Sequence, residues 1–315
     1  MLDFDTIPCN SELSLFASWS VHDPSPKAQS NDIMLTLEIM HAMWPNGNNS
    51  VPGLVEGIVA AAPAVFAKYG LNSDLVIAHA MAQFSQECGA GNEMIENINY
   101  TAKRACQVWP SRFQSEADCF AKIGSFAGDP DFRIKLIDNV YGGRNGNRPG
   151  THDGSAYIGR GLSQVTGRGN YDALGAKVGL DLVNETDLVN APANALECGV
   201  ADFVICGCLP FARADDVSGV TMHLNGGFTG LDERTLWLGR WKTALSSQNP
   251  ALHSTTWLQI SLNKLGADPP LVPDGSYGPL TAAAMKNFQE SHGLNSDGKV
   301  SPETLAAIDA ALLAL

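Results

Sequence analysis

The sequence predicts an all-α protein with a large helical domain followed by a small three-helix domain. Three observations predict it. From Asn31 to Trp44, and in nine further stretches ending near residue 247, apolar residues recur at the spacing of one helix face. Near Ser246 to Ser254 the pattern breaks into Ser-Ser-Gln-Asn-Pro and then His-Ser, a composition typical of a domain boundary. Beyond it, Asp274-Gly-Ser-Tyr-Gly-Pro-Leu-Thr281 is echoed by Asp297-Gly-Lys-Val-Ser-Pro-Glu-Thr304, each reading as a turn that feeds a helix with Pro at its first position.

The elements follow in order. Residues 1–30 have mixed polarity with Pro8, Pro24 and Pro26, which suits an irregular arm. Ile33, Leu37, Met40 and Trp44 then share a helix face, and Pro45-Asn-Gly ends the run. Helices are expected at 52–69, with a kink at Pro63, and at 74–88, 101–108, 114–124, 131–139, 170–178, 191–207, 216–224 and 231–247. Between them, Tyr141 to Ser155 is a long run of turn formers, which predicts a functional loop walling a cleft. The expected division is an arm at 1–30, a main domain at 31–247, a linker at 248–254 and a terminal domain at 255–315. In the last, Trp257, Leu258, Leu262 and Leu265 mark one helix and Ala282, Met285 and Phe288 another.

Composition excludes several functions. A net charge of -13 without a basic segment argues against a nucleic-acid partner, since phosphate binding depends on Lys and Arg. The longest apolar run, Ile58 to Ala67, contains Pro63 and falls far short of the roughly 18 residues a membrane span needs. The amino terminus opens with acids instead of a basic region, so no cleaved signal peptide is visible, and synthesis in the cytoplasm is expected. Seven scattered cysteines read as reduced, and Cys206-Gly-Cys208 lacks the second pair that a zinc site needs. No metal or cofactor is expected, and a monomer is.

The chemistry concentrates in a few segments. Asp74 to Gln86 is apolar almost all round and delivers Glu87 to a glycine-rich stop, Cys88-Gly-Ala-Gly91. A carboxyl partly desolvated in that way is suited to remain protonated as a general acid, although alone such a glutamate is equally compatible with a salt bridge. Glu96 follows nine residues later, and two carboxylates flanking a cleft are the minimum for glycosidic hydrolysis. Tyr157-Ile-Gly-Arg160-Gly-Leu-Ser-Gln164-Val-Thr166-Gly carries aromatic, guanidinium, amide and hydroxyl groups between glycines. Asn225-Gly-Gly, with Arg234 beyond it, adds an amide in a tight turn.

Together, Glu-x-Gly, Glu-Asn-x-Asn-Tyr, Gly-Arg-Gly-x-x-Gln-x-Thr-Gly and Asn-Gly-Gly, in this order from about Met34 to Leu245, resemble the family 19 glycoside hydrolases, especially phage and bacterial lysins. The resemblance implies a lysozyme-like helical fold and inverting hydrolysis of a β-1,4 bond. It makes Glu87 the acid and Glu96 the second carboxylate, with Thr166 and Gln164 holding the attacking water. Asn99, Tyr100, Tyr157, Arg160, Asn225 and Arg234 would bind sugar. Where the family commonly has His-Glu-Ser-Gly, this chain has Gln86-Glu87-Cys88-Gly89. Asp153, on the long loop, is the alternative base, as plant chitinases place theirs on a later loop. Residues 255–312 resemble the peptidoglycan-binding domain of cell-wall hydrolases, which implies peptidoglycan as partner and an endolysin acting on the cell wall. A chitinase or a non-catalytic wall-binding virion protein are the alternatives.

Overall fold

The structure, a computed structural model, describes residues 35–246 and 255–313. The expected arm at 1–30, Ile33, the linker at 248–254 and any amino-terminal signal lie outside the described residues. Helices are α1 (Leu37–Met43), α2 (Leu54–Tyr69), α3 (Asp74–Glu87), α4 (Ala102–Val108), α5 (Glu116–Ile123), α6 (Phe132–Tyr141), α7 (Asp153–Ala156) and α8 (Arg168–Val178). They continue with α9 (Ala195–Ile205), α10 (Leu209–Arg213), α11 (Val217–Asn225), α12 (Leu231–Ser246), α13 (Thr255–Lys264), α14 (Pro279–Ser291) and α15 (Pro302–Leu313). No strand occurs among the described residues, so the all-α expectation holds, with two isolated β-bridges near the candidate site.

Local signals set the helix starts. Thr36, Ser73, Thr101 and Ser115 cap α1, α3, α4 and α5 through side-chain oxygens that accept otherwise unpaired backbone N–H groups. Two details differ from the sequence expectation. Leu54–Tyr69 runs through Pro63 as one helix, and the span expected at 191–207 is shorter, Ala195–Ile205, preceded by a 3-10 turn at Thr186–Val189. The short helices α7 and α10 are too brief to leave a periodic signature.

As its all-round apolar sequence implies, α3 is the central helix, packed against α9, α10, α11 and α12. Several polar atoms buried with it are paired. Trp44 and Trp241 each donate an indole N–H to Ser85 Oγ at 2.8 Å, and that hydroxyl donates to Met81 O. A second, smaller core gathers Ala105, Trp109, Phe113, Leu136, Ile137 and Tyr141 from α4 to α6. Tyr157 belongs to the first core and Ile158 to the second, so the glycine-rich segment that starts there runs along the seam between two lobes.

The terminal domain is the expected three-helix unit, and its sequence repeat is a repeated hydrogen-bond device. Buried Gln259 accepts from Gly275 N at 3.0 Å and donates to Thr281 Oγ1 at 3.2 Å. Buried Gln289 accepts from Gly298 N at 2.8 Å and donates to Thr304 Oγ1 at 3.1 Å. The domain rests on α12: Trp257, buried, donates its indole N–H to Leu236 O at 3.1 Å, and its ring occupies the space a side chain at Gly239 would fill. Lys264 pairs with Glu233 at 3.3 Å on the same helix.

Candidate active site

Glu87 is the last residue of α3, and the chain reverses directly after it because Gly89, Ala90 and Gly91 all take positive φ. A Cβ at Gly91 would lie 2.7 Å from Gly47 O, so the turn also needs glycine for space. Cys88, at the family's serine position, is buried, and its burial pushes the thiol up to about 12, so it packs and does not react.

The Glu87 carboxylate is buried and ion-paired instead of sitting in a purely apolar pocket. Arg234, on α12 and without exposed surface, donates to Glu87 Oε1 at 2.6 Å. The same guanidinium donates to Gln83 Oε1, one turn earlier on α3, and to Thr229 O at 3.1 Å. Gln83 in turn donates to Thr221 Oγ1 at 3.1 Å. Arg234 therefore stands behind the carboxylate as its holder, and is not a sugar contact.

Glu96 is fixed by backbone pairing. Its N–H donates to Gly159 O at 2.8 Å, while Gly159 N donates back to Glu96 Oε2 at 3.1 Å. Tyr141, from the smaller lobe, donates to Glu96 Oε1 at 2.8 Å. Burial raises the Glu96 carboxyl above its ordinary range, against the Gly159 N–H, the Tyr141 hydroxyl and the Arg160 charge, which favour the ionised form. A carboxylate so raised is a stronger base once ionised.

Gln164 and Thr166 converge on the same point. A Cβ at Gly159 would meet Gln164 Oε1 at 2.8 Å, Thr166 Oγ1 at 3.3 Å and Glu96 Cβ at 3.4 Å, which explains the glycine. Gln164 has φ 53°, left-handed for a residue with a side chain, and its amide donates to Glu93 O at 2.9 Å and Gly161 O at 3.1 Å. Such strain, worth about 1–3 kcal/mol, persists where surroundings over-determine it and gathers at functional sites. Thr166 Oγ1 donates to Gln164 O at 2.9 Å, leaving lone pairs for another donor.

The remaining sequence-predicted residues divide. Asn99 is exposed and Tyr100 half-buried against Trp109, both beside the Glu96 segment. Asn225 ends α11 with its amide nitrogen unpartnered. Tyr157 is buried, with its hydroxyl donating to Val183 O and its ring against Tyr171, so it packs the core. Arg160 turns inward to Ala156 O, Tyr171 Oη and Asp187. Asp153 is locked within its own loop: Arg148 reaches it through its backbone N–H, Nε and Nη2 at 2.8 to 2.9 Å and holds its carboxyl well below the usual range. Among the described residues no group of three or more His, Cys, Asp and Glu is placed to hold a metal ion.

Sequence reasoning missed Tyr141 as a partner of Glu96, and it missed Asp202. That aspartate, half-buried on α9, bonds Ser163 and lies within electrostatic reach of Glu87. Burial pushes its carboxyl up to about 6, with the Glu87 charge acting in the same direction and the Ser163 bond against it. No motif flags it, because it reaches the site only through helix packing.

Known proteins resemble both parts of the chain. A family model described as a peptidoglycan binding domain matches residues 254–308. A glycosyl hydrolase family 19 domain-containing protein of Haemophilus influenzae is 31% identical over 190 residues, covering 59% of this chain and 88% of the relative. An acidic 27 kDa endochitinase of Solanum lycopersicum is 50% identical over 46 residues, which is 15% of this chain and 19% of that protein. Chitinase C from Streptomyces griseus superposes over 68% of this chain and 94% of its own, at 20% identity and a TM-score of 0.41, too low to add to the assignment. Four separated motifs in order and the Haemophilus relative agree, and the chain belongs to glycoside hydrolase family 19, as a glycoside hydrolase with a peptidoglycan-binding-type domain at its C-terminal end.

Proposed function

We propose that this enzyme hydrolyses β-1,4-glycosidic bonds of bacterial peptidoglycan by inversion, in the manner of an endolysin acting on the cell wall. One observation carries the mechanism: Glu96, Gln164 and Thr166 crowd Gly159 on the segment along the seam, while Arg234 holds Glu87 at the end of α3. In this reading Glu87 protonates the leaving oxygen. Glu96 takes a proton from a water that Gln164 and Thr166 orient, and the water attacks the anomeric carbon from the opposite face as the glycosidic bond breaks. Inversion needs room for that water, with carboxyl groups roughly 6.5–9.5 Å apart.

The matched terminal domain favours murein as substrate. Chitin is the second reading, favoured by the short, high-identity match to a plant endochitinase. The division of labour follows the two units: residues 35–246 cleave, and residues 255–313 hold the enzyme on the sacculus, raising the local concentration of glycan.

The experiment separates the two candidate bases on purified sacculi, with chitin oligomers alongside. Glu96→Gln should lower kcat about 10²- to 10⁴-fold, whereas Asp153→Asn, which frees Arg148 and loosens the long loop, should act mainly on KM. Sacculi should be the better substrate. Near-normal kcat for Glu96→Gln would remove Glu96 from the role, and turnover confined to chitin oligomers would establish the second reading.

A further inference from the structure

The Glu96 carboxylate is tied to the smaller lobe through a side chain. Tyr141 is the last residue of α6, and its ring belongs to the smaller core while its hydroxyl donates across the seam to Glu96 Oε1 at 2.8 Å. The other carboxylate oxygen, Oε2, accepts from Gly159 N at 3.1 Å. Each oxygen therefore holds a donor of its own, which fixes the rotation of the carboxylate about its last bond. Gly159 is the residue that Gln164 Oε1 and Thr166 Oγ1 crowd, so with Oε1 engaged by Tyr141 it is Oε2 that lies on the side of the water-holding pair. A second feature holds Tyr141 in register with that pair. Asn147, buried in the long loop, donates to Tyr141 O at 3.1 Å and accepts from Arg168 N at 2.7 Å, so one amide joins the end of α6 to the start of α8, two residues past Thr166. The two segments also touch through their backbones: Gly169 N donates to Asn145 O at 2.9 Å, and a Cβ at Gly167 would lie 2.7 Å from that same oxygen.

We infer that Tyr141 is a positioning residue of the hydrolytic reaction: from the smaller lobe it orients the Glu96 carboxylate toward the water that Gln164 and Thr166 hold, and Asn147 keeps it in register with them. The inference rests on the reading of Glu96 as the base. Burial, with the Glu96 charge acting in the same direction, pushes the Tyr141 phenol above its ordinary range, so it stays a donor across the working range of pH. A hydroxyl that donates to the ionised carboxylate stabilises that form, against the burial that raises Glu96. Among the described residues, Arg160, Tyr100 and Tyr171 also lie within electrostatic reach of Glu96, and Tyr100 and Arg144 within reach of Tyr141.

Tyr141→Phe keeps the ring in its core and removes the donor. On purified sacculi kcat should fall about 10-fold with KM changed by less than about 3-fold. The acidic limb of kcat/KM, where Glu96 takes up a proton, should move to higher pH by about half to one unit, because the ionised form has lost a donor. A tyrosine that only filled space would leave the limb in place. Tyr141→3-fluorotyrosine keeps both ring and hydroxyl and makes the hydroxyl a stronger donor, so the fold is retained and the limb should move the other way, to lower pH. Asn147→Ala acts through the same contact, and its loss in kcat should not add to that of Tyr141→Phe in the double variant. An unmoved limb in Tyr141→Phe, or in the fluorinated protein if that variant does not fold, would overturn the inference, and fully additive losses would overturn the part given to Asn147. Near-normal turnover in Glu96→Gln would instead remove the base assignment, an outcome distinct from these.

Discussion

Glu87→Gln protein is expected to lose about 10²- to 10⁴-fold in hydrolytic rate on purified murein while still pelleting with sacculi. The amide cannot donate the proton that the leaving oxygen needs, but its oxygen can still accept the bond that Arg234 makes to Glu87 Oε1. The fold should therefore persist at some cost, because the guanidinium, which has no exposed surface, loses its countercharge. Binding to sacculi should be unaffected, since the terminal domain has its own core around Trp257, Met285, Phe288 and Ile308. The check is release of reducing sugar from sacculi beside a pull-down on the same preparation. Turnover within a few-fold of wild type would remove Glu87 from the acid role.

Arg234→Leu should have the largest effect on stability. Removing one member of a buried ion pair strands the other, and here the change also leaves Gln83 Oε1 and Thr229 O without their donor. The expected loss is about 3–5 kcal/mol, which for a domain of this size lowers Tm by roughly 6–20 °C. Arg234→Lys should recover only part of it, because a single ammonium cannot span three acceptors as the planar guanidinium does. Thermal unfolding of the full chain measures both variants. A wild-type Tm for Arg234→Leu would mean that the pair contributes little and that Glu87 is oriented by other contacts.

What the sequence revealed and what it hid divide along a physical line. Helices such as Leu54–Tyr69 and Leu231–Ser246 were legible because apolar residues recur at helical spacing, and Asp74–Glu87 because it is apolar almost all round, with Ser, Thr or Gly marking many of the ends. Glu87 was legible because an apolar helix ends on it. Contacts across long stretches of chain leave no such mark. The sequence suggested Arg234 as a sugar contact, yet it is buried behind Glu87, and Tyr157, equally suggestive, packs the core. One missed contact did leave a signal: Gly239 sits inside a helix, where glycine costs about 1 kcal/mol relative to alanine, and the cost is explained by the Trp257 ring that occupies its place.

The most direct test of the central claim, inverting hydrolysis of murein glycan by two carboxylates, is the configuration of the newly formed reducing end. Proton NMR of fragments released from purified sacculi in the first minutes of digestion resolves the anomers before they interconvert. The mechanism derived from Glu87 and Glu96 predicts new reducing ends that appear first as the α anomer, opposite to the β bond that is cut. β anomers appearing first would indicate a covalent glycosyl intermediate, and fragments with no new reducing end would mean that the bond is not hydrolysed at all, and either result would contradict the account.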